Sequence, residues 1–259
     1  MFQKQRLLDK VQTLRDERNM LEFCDALGVS STSTAYIKKM ITMIQYHIFS
    51  FDAVCEQHTG SVDELESLCE MVKQDIFALV LILTGNELSA HTYTYRLFAF
   101  YAMELDMRRI AQKQSMYKTP LAYSLEEFYL LKSCDVFLSR NLVVMLADVS
   151  TSYTPAVELF DMLGEILDDC MDVEEDQNQI NANRFLISLV QYGTEHTIQE
   201  YREFIDTSIS VLIAHQWVLE KLGLDVFVLQ KQLYDYCTRD WSWVIRSKTN
   251  EMLFGKKDE

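Results

Sequence analysis

The stretch 165–176 is the most acidic part of this sequence, and its spacing suits the binding of cations. Within it, Asp168, Asp172 and Asp176 recur every four residues, which on a helix spreads them over roughly 80° of one face. No lysine or arginine occurs between residues 140 and 184 to offset them. Since like charges one turn apart destabilise a helix by a few tenths of a kcal/mol per pair, we interpret the row as a surface that meets cations. A solvated acidic helix face is the other interpretation.

A second pair of carboxylates, Asp52 and Glu56, stands one helical turn apart in an otherwise apolar segment. Acidic side chains near the C-terminus of a helix oppose the macrodipole, so this pair calls for a reason. Carboxylates are ligands for hard cations such as Mg²⁺, which is commonly held by one or two of them together with waters and substrate phosphates. A solvated, frayed helix end would explain the pair without any ligand.

Composition and charge exclude several other classes of function. The formal net charge of −15 argues against a nucleic-acid partner bound through phosphates and against a polybasic membrane contact. Six scattered cysteines, with no C-x-x-C and no cysteine–histidine cluster, indicate free and mostly buried thiols in a reducing cytosol. The sequence contains no nucleophile elbow, glycine-rich phosphate loop or dinucleotide fingerprint.

The sequence also carries no targeting signal that we recognise. Its first residues are polar and mixed in charge, without the apolar core of a signal peptide. The longest apolar run, residues 76–83, is too short to span a bilayer. We therefore expect a cytoplasmic protein without a transmembrane segment.

Low glycine and proline content predicts long helices joined by short loops, because only seven Gly and two Pro interrupt the 259 residues. Capping-box patterns predict helix starts at Ser61, Ser124 and Thr197. The dipeptide Thr154-Pro155 predicts the start of the acidic helix. The predicted helices run over about 2–26, 35–57, 61–84, 89–114, 124–148, 154–176, 181–192, 197–222 and 226–249. We predict a single all-α domain of about nine or ten helices over residues 1–259.

The two acidic segments together resemble motifs of the class I isoprenoid synthases, which include the trans-prenyltransferases and the class I terpene cyclases. The pair Asp52 and Glu56 and the run Asp168-Asp-Cys-Met-Asp-Val-Glu-Glu-Asp176 are similar to the two metal-binding segments of that superfamily. The run is followed by Asn183-Arg184-Phe-Leu, as the second motif of the family is followed by an asparagine and a short apolar helix. The resemblance implies an all-α helical bundle of the isoprenoid-synthase type, with both segments facing a central apolar cavity.

What the resemblance implies for function is a Mg²⁺-dependent enzyme that ionises a prenyl diphosphate, such as geranyl, farnesyl or geranylgeranyl diphosphate. Diphosphate is released, and the allylic cation is cyclised or transferred. Asp52, Asp168 and Arg184 would carry the catalytic role, with Arg184 binding the departing diphosphate. The ligands of the Mg²⁺ ions, three of them with bound diphosphate, would be Asp52, Glu56, Asp168, Asp169, Asp172 and Asp176.

Further side chains are expected to contact the substrate. Arginine suits diphosphate oxygens through its planar fork, and aromatic ring faces stabilise a cation in an apolar pocket. Ordinary core packing of each aromatic residue, and a solubilising surface role for most of the arginines, are the alternative interpretations. The expected substrate contacts are Phe49, Phe51, Phe77, Tyr95, Arg140, Arg184 and Arg246.

The first acidic motif departs from the family pattern. Ala53 stands where a second acid is usual, no arginine follows directly, and the glycine-lysine-arginine element of chain-elongating enzymes is not evident near the N-terminus. A cyclase is therefore favoured over a farnesyl-type synthase. Three alternatives stay open: an atypical prenyltransferase resembling that of moenomycin biosynthesis, a non-catalytic subunit on the same fold, and a plain helical adaptor. Because superfamily members are often dimers, a homodimer is expected.

Overall fold

Helices form all the regular structure in the described part of the computed structural model, which covers residues 28, 31–57, 61–111, 123–134, 140, 154–177 and 182–244. No strand occurs in these ranges, so the all-α prediction is confirmed there. The ten helices found in them are α1 Ser31–Gln57, α2 Val62–Thr84, α3 Glu87–Ala111, α4 Leu125–Lys132, α5 Thr154–Met171, α6 Val173–Asp176, α7 Arg184–Tyr192, α8 Thr194–Ala214, α9 Gln216–Lys221 and α10 Val226–Cys237.

Helices α1, α2 and α3 pack against one another in sequence order. Gly85 ends α2 in a left-handed conformation (φ 63°) and donates its N–H to the carbonyl of Leu81, which lets the chain reverse into α3. The rings of Phe51 on α1 and Tyr101 on α3 meet edge to face, with centroids 4.9 Å apart. Helix α2 buries one helical stripe, formed by Val62, Leu65, Cys69, Val72, Ile76, Val80 and Leu83.

Helix α5 is the central element of the second half of the fold. It packs against α4, α7, α8 and α10, and the side chains of Leu163 and Ile166 on it are fully buried. One cluster of buried apolar side chains connects residues of α1 with those of α10. The central position of α5 places three of its acidic residues, Asp161, Glu165 and Asp169, among other helices.

Local sequence signals account for several helix starts. Ser124 forms the predicted capping box, accepting from the N–H of Glu127, whose carboxylate accepts from the N–H of Ser124 in return. Ser61 occupies the N-cap position of α2, as predicted, although its side chain makes no capping hydrogen bond. Asn183 caps α7 by accepting from the N–H of Leu186 at 2.8 Å.

Several predicted boundaries are wrong, and the helix predicted over about 197–222 is divided at His215 into α8 and α9. Helix α8 begins at Thr194 and not at Thr197, because Gly193 (φ 84°) turns the chain immediately after α7 and lets the new helix start at once. Thr197 consequently lies within α8 and is buried. The last predicted helix is shorter than expected, since α10 ends at Cys237.

Some predictions fall on residues that the structure does not describe. These are the N-terminal helix over about 2–26 and the segment beyond residue 244. Others are not tested by the described residues. The single domain over residues 1–259 and the central apolar cavity remain predictions. Within the ranges described, no helix combines the length and the apolar character needed to cross a bilayer.

Candidate polar site on helix α5

The acidic residues of α5, together with Asp172 just after it, include an inner row and an outer pair. Asp161, Glu165 and Asp169 follow one another at four-residue intervals, and all three are buried. Asp168 and Asp172 are exposed. The predicted stripe of Asp168, Asp172 and Asp176 therefore borders a second, buried row that includes Asp169. The two rows differ in the cations and donors they meet, so they are described in turn.

Asp169 is the most enclosed carboxylate of the inner row, with 1 % of its surface exposed. Its Oδ2 accepts from the Tyr129 hydroxyl at 2.7 Å and from the backbone N–H of Arg184 at 2.9 Å. Its Oδ1 forms an ion pair and hydrogen bond with Nζ of Lys132. Three donors from α4 and α7 thus compensate the burial of this one carboxylate.

Lys132 is the cation that faces the inner row from α4. Its Nζ lies 4.0 Å from a carboxylate oxygen of Glu165, in addition to its contact with Asp169. Burial lowers the pKa of Lys132, but the charges of Asp169 and then Glu165 outweigh that effect and raise the pKa above its ordinary value. Lys132 therefore stays positively charged beside these acids at any physiological pH.

The other end of the inner row meets Arg140. Its Nη1 lies 3.0 Å from Oδ1 of Asp161, and both side chains are buried. Arg140 was predicted to contact the diphosphate, and the structure places it against an acid two turns before Asp169 on α5. Its role toward a substrate remains a prediction.

Arg184 belongs to a polar chain that continues from Asp169. The Tyr129 hydroxyl lies 3.1 Å from that of Tyr201, which in turn accepts from Nη1 of Arg184 at 3.3 Å. Nη2 of Arg184 donates to Glu200 at 2.8 Å. Burial lowers the pKa of Arg184, but Tyr201 and Glu200 more than reverse this and raise it. A diphosphate bound by Arg184 would have to share it with Glu200.

The outer pair continues toward α6 with helical spacing. The N–H of Asp172 donates to the carbonyl of Asp168 at 2.9 Å, and the N–H of Asp176 donates to that of Asp172 at 2.8 Å. These bonds keep the three acids in register although α5 ends at Met171. They therefore remain one turn apart on one side of the chain, as predicted.

Asn183 connects the end of this acidic segment with its middle. Its Nδ2 donates to Oδ2 of Asp176 and to the backbone carbonyl of Asp169, both at 2.8 Å. Because Asn183 also caps α7, one buried side chain fixes α5, α6 and α7 relative to one another.

Electrostatic strain is concentrated at the end of the acidic segment. Although Asp172 is exposed, partial desolvation of its carboxyl group and then the charge of Asp168 raise its pKa. Burial raises the pKa of Asp176 to about 6, in spite of the Asn183 hydrogen bond, with further repulsion from Asp169. A cation placed between these carboxylates would relieve the repulsion.

The donor set at Asp168, Asp172 and Asp176 consists of carboxylate oxygens, which suit Mg²⁺ better than softer metals. Among the residues that the structure describes, no group of three or more His, Cys, Asp or Glu side chains is arranged to hold an ion alone. A Mg²⁺ ion that also binds substrate phosphates needs only one or two carboxylates from the protein, so a Mg²⁺ site here stays a prediction.

The other predicted site residues are placed as follows. Phe49 and Phe51 are buried on α1, Phe77 on α2 is half-buried, and Tyr95 on α3 is 76 % exposed. The exposure of Tyr95 gives no support to a place in an enclosed pocket. The side chains of Asp52 and Glu56, and all of Arg246, lie outside the described residues, so whether α1 faces α5 across a cavity stays a prediction.

Sequence reasoning missed the two tyrosines of the polar chain. Tyr129 lies three residues before Lys132, so the helical period places both on one face of α4, and this spacing was a usable signal. Tyr201 has no comparable signal, because its contact with Tyr129 depends on how α8 packs against α4.

Comparison with family models, curated protein sequences and solved structures finds no match to this chain. What the site does is therefore inferred from its own contacts and charges, together with the motif resemblance.

Proposed function

We propose that this chain is a Mg²⁺-dependent class I terpene synthase-like enzyme, which ionises a prenyl diphosphate, releases diphosphate and cyclises the allylic cation. The observation that carries the proposal is the register of Asp168, Asp172 and Asp176, kept by two backbone hydrogen bonds beside the ion pair of Lys132 with the buried Asp169. Negative charge gathered at one end of a helix, next to a half-buried lysine, suits a ligand that brings both metal ions and phosphate oxygens.

In this proposal the outer acids bind the metal ions. Asp168 and Asp172 are exposed and can reach ions that arrive with the substrate, and Asp176 lies one turn further on. Bound there, Mg²⁺ would supply electrostatic stabilisation of the charge that develops on the departing diphosphate. Asp52 and Glu56 are proposed to complete the set from α1.

The inner acids have a different proposed role, which is to position other side chains of the site. Asp169 accepts three hydrogen bonds from the protein itself, so we assign it to positioning and not to direct metal binding. Lys132 and Arg184 provide positive charge on the inner side. Either side chain would exchange a carboxylate partner for a diphosphate oxygen when substrate binds.

Turnover tests the proposal directly. The purified chain is incubated with Mg²⁺ and geranyl, farnesyl or geranylgeranyl diphosphate, and released diphosphate and organic products are measured. The double variant Asp168→Asn/Asp172→Asn should lose most of the release, whereas Glu174→Gln, an exposed acid on the same segment, should keep it. Transfer to an added acceptor would instead identify a prenyltransferase. Wild-type protein that releases no diphosphate under any of these conditions contradicts the proposal.

A non-catalytic subunit or scaffold is the second candidate, and one observation favours it. The buried acids Asp169 and Asp176 each accept a hydrogen bond from a donor within the protein, so neither needs a ligand to supply one. Thermal unfolding separates the candidates: Mg²⁺ with inorganic diphosphate should raise Tm if the metal–diphosphate site exists. The shift should vanish in Asp168→Asn and persist in Glu174→Gln; no shift in wild type favours the scaffold.

A further inference from the structure

Asn183 has a buried side-chain amide that donates twice to the acidic segment. Its Nδ2 donates to the backbone carbonyl of Asp169 and to Oδ2 of Asp176, each at 2.8 Å. Its Oδ1 accepts from the N–H of Leu186. The amide cannot be turned over, because its NH₂ group would then face an N–H and its oxygen would face two other oxygens. These three bonds therefore hold the side chain in one orientation.

The backbone of Asn183 is also held in place, because the residue begins a helix that is enclosed on every side. All residues of α7 from Arg184 to Val190 are buried. Close packing around all faces of a helix leaves it little room to shift or rotate. Asn183 therefore provides a fixed point from which one amide reaches both α5 and α6.

Helix α6, which ends at Asp176, depends on contacts of this kind because it is short. It has four residues, and a helix of that length is not stable by itself in water. Asp172 separates α6 from α5, and the burial of Val173 fixes the first turn against the core. The bond from Asn183 fixes the carboxylate at the other end. The direction in which the Asp176 carboxylate points is therefore set from α7.

We infer that Asn183 is a positioning residue for divalent cations, which holds the Asp176 carboxylate in register with Asp168 and Asp172 before an ion arrives. This inference rests on the function proposed above, and it adds a residue that acts through a carboxylate without touching the ion. A carboxylate that is already oriented loses less conformational freedom on binding, so its affinity for the ion is higher. Partners of this kind commonly change metal affinity by about 10- to 100-fold.

The same amide also caps α7, so the test has to separate the two roles. Serine caps a helix about as well as asparagine does, and Asn183→Ser therefore keeps an acceptor for the N–H of Leu186. The serine hydroxyl lies one bond closer to the backbone than Nδ2 does, which is too far from Asp176 for the same hydrogen bond. Asn86→Ser is the matched control, because Asn86 is exposed and accepts from the N–H of Ser89 at the start of α3.

Isothermal titration calorimetry of the whole chain with Mg²⁺ and inorganic diphosphate measures the effect, after subtraction of a titration without protein. Asn183→Ser should raise the Kd for Mg²⁺ by about tenfold or more, whereas Asn86→Ser should keep the wild-type value. The effect should depend on Asp176, so adding Asn183→Ser to Asp176→Asn should change the Kd by less than about twofold. Circular dichroism at the titration temperature checks that each variant is folded, and Asn183→Thr repeats the test with a second capping side chain.

The failures of the inference and of the proposed function are distinguishable. If wild type binds Mg²⁺ and Asn183→Ser binds it with the same Kd, Asn183 is only a helix cap and this inference alone is overturned. An equal rise in Kd in the Asp176→Asn background also overturns it, because the effect then does not pass through that carboxylate. Loss of the folded state in both Asn183→Ser and Asn183→Thr would assign the two bonds to fold stability and overturn the inference as well. No binding of Mg²⁺ by wild type, with diphosphate present, overturns the proposed function together with it.

Discussion

The hydroxyl of Tyr129 donates to Oδ2 of Asp169 at 2.7 Å, and this bond connects α4 to the central helix α5 inside the core. The same hydroxyl lies 3.1 Å from that of Tyr201 on α8. Burial of an acid at the centre of a helical core is costly unless donors surround it. The polar contacts of Asp169 therefore contribute to the stability of the fold as well as to the proposed site.

Removal of the Tyr129 hydroxyl should weaken the core measurably. Tyr129→Phe deletes the donor to Asp169 and the contact with Tyr201, which should lower the free energy of unfolding by about 1–3 kcal/mol. Urea denaturation followed by circular dichroism measures the change. Tyr95→Phe, which removes the same hydroxyl from an exposed ring, should change stability by less than about 0.5 kcal/mol. Equal effects of the two substitutions would show that the buried contact contributes nothing.

Removal of the Lys132 charge should be more damaging. Lys132→Met leaves Asp169 and Glu165 buried without their cation, which should cost about 3–5 kcal/mol at neutral pH. Urea denaturation at pH 7 measures the effect, and Lys231→Met, at an exposed position of α10, should be close to neutral. A loss no larger than that of Lys231→Met would show that the ion pairs of Lys132 do not stabilise the fold.

Asp176 should make the metal-free protein less stable as pH rises. Its pKa is raised from the ordinary 3.8 to about 6, chiefly by burial, so between these values the folded state binds more protons than the unfolded state. The contribution of Asp176 to the free energy of unfolding therefore falls as the pH increases from about 4 to about 6, and it stays low above pH 6.

Substitution of Asp176 by Asn should remove this dependence. Asp176→Asn keeps an oxygen that can accept from Asn183 and should raise Tm at pH 7 in the presence of a chelator. Glu174→Gln, with the same change of charge at an exposed position, serves as the control. If the stability of Asp176→Asn depends on pH as that of wild type does, then Asp176 is not the source of the pH dependence.

The buried thiols should resist alkylation in the folded protein. Cys69, Cys170 and Cys237 are buried and free. Burial raises the pKa of Cys69 to about 12 and the pKa of Cys170 well above its ordinary value, so little thiolate is present at pH 8. Mass spectrometry after iodoacetamide treatment should find these sites unmodified until urea is added. Rapid modification of Cys170 in the native protein would show that α5 and α10 separate readily.

Local sequence signals predicted where helices lie more accurately than they predicted which side chains touch. The Ser124 capping box was identified because its bonds form between residues three apart, and the all-α class followed from the scarcity of glycine and proline. Thr197 shows the limit: its sequence fits a helix start equally well, but Gly193 allows the helix to begin three residues earlier. The sequence is compatible with a helix start at either residue, and the backbone conformation of Gly193 allows the earlier one.

The division between Asp168 and Asp169 could not be predicted from periodicity. The two residues project about 100° apart on α5. Several helices pack against α5, so either direction could have been the enclosed one. Which row is enclosed depends on where α4 places Lys132. The isolated lysine at the end of an apolar segment was the only local indication of that partner.

Asn183 has a consequence for how the chain between α6 and α7 can be altered. Its bonds to Asp176 and to the carbonyl of Asp169 fasten both ends of the connection 177–182, independently of what the residues between them do. Loop-closure entropy grows slowly, by about 0.6 kcal/mol for each doubling of loop length. An epitope or a small fluorescent label inserted near residue 179 should therefore leave the acidic segment in register, which makes this connection a suitable place to attach a reporter.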